Sequence, residues 1–172
     1  MKRNHAWHFV GKTLRDGSRV PKDGVWLKYK GPLVMCESGL HWSREPFDAL
    51  QYTPGNTLCL VEYGGEVIEQ GDKGCSTCRR IIARMDAKEM LSYFARMQAL
   101  SVIHLYPNGT DDVVFDYLIT GDENIRDAAW AAAWAAARAA RAARAARAAW
   151  YARAAARQDF NSLVYECFSD FL

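Results

Sequence analysis

The stretch Leu58-Cys59-Leu60-Val61-Glu62-Tyr63-Gly64-Gly65-Glu66-Val67-Ile68 decides the class of this chain. Two runs rich in branched and aromatic residues flank a glycine pair. That pattern predicts a tight antiparallel hairpin turning at Gly64-Gly65, because glycine accepts the positive φ such turns need. Further out, Trp7–Val10, Val25–Tyr29 and Leu33–Met35 are short runs of the same kind, separated by Asp16-Gly17, Asp23-Gly24 and Pro54-Gly55-Asn56. Pro46–Tyr52 reads as a short helix. Residues 1–85 therefore predict a small antiparallel β-rich domain with short helices.

The character changes at Asp86-Ala87-Lys88-Glu89, which has the form of a capping box, followed by Met90, Leu91, Phe94 and Met97 at helical spacing. Pro107-Asn108-Gly109 breaks that helix. A second runs from Asp111, with Val114, Tyr117 and Leu118 on one face, to Gly121. Residues 86–121 thus predict short helices packing on the first domain. From Asp122, read as a cap, to Leu172 there is neither proline nor glycine, and 20 of the 30 residues from Ala128 to Arg157 are alanine. Alanine is the best helix former, and a straight helix over 122–172 would extend roughly 75 Å. Such a segment projects as a rod, folds back as a hairpin, or packs against another copy. The expected class is α+β: a β-rich domain followed by a long Ala/Arg-rich helix or helical hairpin. Phe160, Leu163, Val164, Cys167, Phe168 and Phe171 form an apolar stripe that needs burial on the body, on the alanine helix or on a second subunit.

The net charge of +2 conceals an uneven distribution, since residues 126–157 hold seven arginines against the single Asp127. Arginine interrupts the alanine run too often for a membrane span. The start, Met1-Lys2-Arg3-Asn4-His5-Ala6-Trp7-His8, lacks the continuous apolar core of a secretory signal. Five cysteines, an odd number, fit reduced thiols in a cytoplasm better than a disulfide scaffold.

Three constellations could carry chemistry. Cys75-Ser76-Thr77-Cys78 has knuckle spacing, and Cys36 and Cys59 would complete four zinc ligands, with His41 in reserve; a second close pair is missing, so ordinary thiols are the leading reading and no metal or cofactor is expected. Arg138, Arg141, Arg144 and Arg147 recur every three residues and sweep around half the helix circumference. With Trp130 and Trp134 on neighbouring turns they suit phosphates and bases, or an acidic protein. A solvated helix kept soluble by its arginines is the simpler account of the same residues.

The third constellation spans Gly39-Leu40-His41-Trp42-Ser43, Ala49-Leu50-Gln51-Tyr52 and the strand ending at Glu62 or Glu66. This order of elements resembles the core of ADP-ribosyltransferases. The resemblance implies NAD as cofactor, with His8 and His41 on its ribose and nicotinamide and Glu62 or Glu66 polarising a ribose hydroxyl. No His-Gly-Thr or Arg-Gly signature surrounds His8.

Over nearly its full length the chain also resembles an uncharacterised family of phage and prophage proteins. That likeness rests on Asp23-Gly24-Val25-Trp26-Leu27, Cys36-Glu37-Ser38-Gly39-Leu40-His41, Asp48-Ala49-Leu50-Gln51-Tyr52-Thr53-Pro54-Gly55 and Leu58-Cys59-Leu60-Val61-Glu62, and continues into the Ala/Trp/Arg segment. It implies a layout and a phage context, and no activity. The expected function is an accessory binding protein in the host cytoplasm. It would antagonise a host defence or nucleic-acid-processing complex through protein or nucleic acid, with possible self-association through helix faces. The alternatives are the NAD-using enzyme and a structural oligomerisation rod.

Overall fold

The computed structural model describes residues 4–105, 111–140 and 148–171. The chain is α+β. Its elements are β1 (His5–Val10), β2 (Leu27–Lys28), β3 (Leu40–Ser43), α1 (Pro46–Ala49), β4 (Thr57–Gln70), β5 (Lys73–Asp86), α2 (Lys88–Ser101), α3 (Asp112–Thr120), α4 (Arg126–Ala140) and α5 (Ala148–Cys167). Two compact units result: residues 1–88 with 157–172, and residues 89–156.

The hairpin in the first unit is longer than its glycine pair suggests. β4 and β5 are 14 residues each, and the reversal falls at Gly71-Asp72, where Gln70 pairs with Lys73. Gly71 supplies the positive φ of 61°. Gly64-Gly65 instead lies at a register shift, with Gly65 at φ 74° and the Glu66 N–H donating to the Thr77 hydroxyl at 2.9 Å. Positive φ serves a bulge as well as a turn, and a bulge lets one long strand bend without ending. The runs Val25–Tyr29 and Leu33–Met35 contribute little strand: only Leu27–Lys28 joins the sheet, and Val34 forms an isolated bridge to Ser38.

Pairing closes on itself, β1 to β3, β3 to β5, β5 to β4 and β4 back to β1. A bent sheet of this kind has an inner and an outer face, and alternation assigns each residue to one of them. Ala6, Val10, Trp42, Cys59, Val61, Tyr63 and Ile81 meet as one buried cluster on the inner face. Trp42 stacks on Tyr63 at 3.9 Å between ring centroids. Gly74, opposite Trp42 on β5, leaves room for that indole. A Cβ there would collide with the Trp42 ring, so Gly74→Ala is expected to cost about 1–3 kcal/mol. An unchanged urea midpoint would show that the ring yields freely.

On the outer face, Trp7, Phe9, Leu58 and Leu60 are covered with the help of the end of α5. Phe160, Val164 and Phe168 are buried there, and Trp7 meets Phe168 edge-on at 5.0 Å. The apolar stripe is thus buried on the body, although Cys167 and Phe171 at its margin stay exposed. Beside it runs a polar stripe, Arg157, Asn161 and Tyr165, one turn apart. Asn161 Oδ1 accepts the Phe47 N–H at 2.9 Å, and Asn161 Nδ2 donates to Glu45 at 3.1 Å. The Tyr165 hydroxyl donates to the same Glu45, and Arg157 grips Asp48 through both carboxylate oxygens. The first turn of α1 therefore finds its capping partners on α5.

In the second unit, α2 follows a cap in which Asp86 accepts the Lys88 N–H at 2.9 Å. Helix α3 ends at Gly121, in the left-handed region. Helix α4 starts at Arg126 and not at Asp122, because Asp122 Oδ1 is taken by the backbone and side chain of Asn124 at 2.9 and 2.8 Å. A turn closed by that carboxylate precedes the helix. The expected break at Pro107-Asn108-Gly109 and the centre of the alanine segment, residues 141–147, lie outside the described residues. Among the described residues no helix is long and apolar enough to cross a membrane.

Candidate functional site

The inner face of the sheet unit is not wholly apolar. His8 lies opposite Cys59 and Arg79 opposite Tyr63, so alternation turns all four toward the Trp42–Tyr63 cluster. Arg79 is only 5 % exposed, and its guanidinium donates to the backbone carbonyl of His41. Burial pushes this arginine down to about 10. Burial, then the charges of Arg79 and His41, hold His8 well below the usual histidine range. Burial also pushes the Cys59 thiol up to about 11. At neutral pH Arg79 is thus a cation, His8 a neutral imidazole and Cys59 a neutral thiol.

His41 reaches this cluster by its carbonyl, while its ring serves elsewhere. Its Nε2 accepts the Cys36 N–H at 3.0 Å, in a loop where Cys36 takes a φ of 68° and its carbonyl accepts from Arg15 at 2.9 Å. Burial, followed by the charge of Arg79, lowers the His41 pKa. The imidazole is committed to shaping a loop.

The glutamates sit apart from the histidines. Glu62 pairs with His5, three residues before His8, and strand alternation therefore places it on the outer face. There it accepts from Asn4 at 2.9 Å and Arg80 at 2.6 Å, and Arg80 lies over the Trp26 ring at 4.8 Å. Glu66 is exposed beyond the bulge. His8 and Glu62 face opposite sides of one sheet, so the arrangement that NAD chemistry would need is not assembled from them. Nor do the cysteines form a knuckle. Cys75 and Cys78 lie three steps apart along an extended strand, which spans about 10 Å. Among the described residues Cys36, Cys59, Cys75 and Cys78 do not form a metal-binding group. All five cysteines are free thiols.

The helical unit offers a different kind of site. Trp130 and Trp134 are 65 % and 50 % exposed on successive turns of α4, with rings edge to face at 6.4 Å. Beneath Trp130 a cavity of about 590 Å³ opens between α2, α3 and α4, lined by Ala95, Ala99, Val114, Leu118 and Ala129. Arg96 crosses its floor and donates to the carbonyls of Leu118 and Ile119 at 3.3 Å. Phe115 and Ile119 add exposed apolar surface on α3. Of the seven arginines in 126–157, Arg126 pairs with Glu123 and Asp127 and Arg157 with Asp48. Arg138 lies in α4, whereas Arg141, Arg144 and Arg147 lie outside the described residues.

Together these features define a small α+β protein with a self-closing antiparallel sheet, whose apolar inner face includes the buried Arg79, and a helical unit with an exposed aromatic face. A family model described as "Domain of unknown function (DUF7666)" matches residues 5–93, over half of the 172-residue chain. The chain belongs to this family. No curated protein and no solved structure matches it.

Proposed function

We propose that this chain is a phage-type accessory binding protein, acting in the host cytoplasm, whose helical unit docks on an acidic face of a host defence or nucleic-acid-processing complex. The observation that carries this reading is the exposed Trp130–Trp134 pair, of which Trp130 lines a largely apolar cavity. Exposed tryptophans cost solubility, and at protein interfaces tryptophan and arginine are the residues that most often carry binding energy. The exposed apolar surface of Phe115 and Ile119 in the same helical unit favours a protein over a bare phosphate backbone, which has no use for it. Arginine from Arg138 onward supplies charge of the sign that suits an acidic partner.

The test is capture from nuclease-treated host extract by the tagged chain, compared with the Trp130→Ala/Trp134→Ala variant. Both side chains are largely exposed and alanine is the better helix former, so the variant should keep its fold. The variant is expected to lose the captured complex, with affinity for the purified partner falling about thirtyfold or more, as loss of one strong interface anchor would give. Capture that occurs only in extract left untreated with nuclease would transfer the reading to nucleic acid. Capture unchanged by both the substitutions and raised salt would overturn this assignment of the surface.

A further inference from the structure

Inside the sheet unit, N–H donors of Arg79 and Trp42 stand without acceptors among the described residues. Arg79 is 5 % exposed, and among the described residues no carboxylate forms an ion pair with it. Among the described residues its guanidinium donates one hydrogen bond, to the His41 carbonyl, which occupies a single N–H of the five that a guanidinium carries. Trp42, 2 % exposed on the same inner face, has a buried indole N–H with no acceptor. Glu62, beside the Tyr63 that pairs with Arg79, is turned to the outer face and held by Arg80 and Asn4. A cation and a neutral donor are thus withdrawn from water together without an anion to answer them. Buried charges and buried donors are ordinarily paired, and each exception calls for a cause.

This interior meets solvent at His8. Along β1 the inward positions are Ala6, His8 and Val10; Ala6 and Val10 are buried, whereas His8 keeps part of its surface. His8 is the inward residue at which this strand meets solvent, on the side that Arg79 serves.

We propose that the inner face beside Arg79, His8 and Trp42 binds a small oxyanion group, a phosphate or a carboxylate, as part of a ligand that enters past His8. The guanidinium fork matches two oxygens of such a group, and the indole N–H offers a neutral donor within the same interior. His8 would respond to the bound charge. An anion beside an imidazole favours its protonated form, so binding should strengthen as pH falls and the His8 pKa should rise in the complex. This inference concerns the sheet unit and does not depend on the function proposed for the helices.

The experiment is an NMR titration of the full chain at constant ionic strength, in which chloride is replaced by inorganic phosphate in one series and by acetate in another. The expected result is a saturable shift of the Arg79 side-chain Nε–Hε resonance, accompanied by an upward shift of the His8 pKa. Arg79→Met, which keeps length and removes the buried charge, should weaken binding about tenfold or more, as expected for a lost charge-assisted hydrogen bond. A response to phosphate alone would identify a phosphoryl ligand, and a response to both would extend the site to carboxylates. An Arg79 resonance that ignores both anions would overturn the proposal. So would binding that survives Arg79→Met undiminished, since the anion would then sit elsewhere, for instance on the arginine-rich helix. Should Arg79→Met fail to fold, the wild-type resonances of Arg79 and His8 decide the matter alone.

Discussion

Arg157→Ala should destabilise the protein by about 3 kcal/mol, among the largest losses expected from any single side chain outside the apolar core. Asp48 is 1 % exposed, and Arg157 is its charged partner, one bond measuring 2.5 Å. Cutting back the arginine leaves a carboxylate buried without compensation. Breaking a fully buried pair in this way costs about 3–5 kcal/mol, and the 43 % exposure of the Arg157 side chain argues for the lower end.

The pH dependence has a definite sign. Burial raises the Asp48 pKa, opposed by Arg157, so the folded state holds this proton more tightly than the unfolded chain does. A carboxyl with a raised folded pKa gains relative stability as pH falls through that value. Removing Arg157 raises it further. The deficit of the variant against wild type should accordingly be greatest near neutrality and shrink in acid, as Asp48 takes up its proton. Paired denaturant melts across this range would measure it. A deficit independent of pH would mean that Arg157 acts through the packing of its stem and not through its charge.

That contact also shows where sequence reasoning stopped. Periodicity revealed the apolar stripe of the C-terminal helix, because hydrophobic residues three and four apart are recognisable without knowing their partner. The parallel stripe of Arg157, Asn161 and Tyr165 has the same spacing but reads as ordinary solvent-facing polarity. Its meaning comes only from Glu45, Phe47 and Asp48, more than a hundred residues earlier. The β4–β5 hairpin was legible as a hairpin and misplaced in its turn, since two glycines announce positive φ without saying whether a bulge or a reversal will use it. Cys75-Ser76-Thr77-Cys78 has knuckle spacing, yet the Ser, Thr, Ile and Ala of the run that contains it also suit a strand, and it lies within β5. His8 stands out in the sequence as a candidate site residue, whereas Arg79, whose charge acts on it, does not. An arginine in a strand is normally outward-facing, and the neighbouring Arg79-Arg80 pair does not say which of the two turns inward; the register with Tyr63 does.

Phe168→Ala should cost about 3–5 kcal/mol, while Phe171→Ala, three residues later on the same apolar stripe, should cost less than about 1 kcal/mol. The difference follows from burial. Phe168 is 2 % exposed, packs edge-on against Trp7, and lies one turn beyond the fully buried Val164, so truncation opens a cavity against a rigid strand. Phe171 is 49 % exposed, in the final 3-10 turn, with a ring contact to Phe168 at 6.4 Å. Removing it exposes little that water does not already reach. The two losses, read from urea melts of variants with the same residue type and the same replacement, isolate the environment from the chemistry. Trp7 adds a second readout, because its fluorescence should change on loss of Phe168 and hold steady on loss of Phe171. Equal losses would show that the end of α5 does not hold the outer face of the sheet in the way its packing implies. A near-zero loss at Phe168 would mean that the strand residues Trp7, Phe9 and Leu60 stay buried by some other cover.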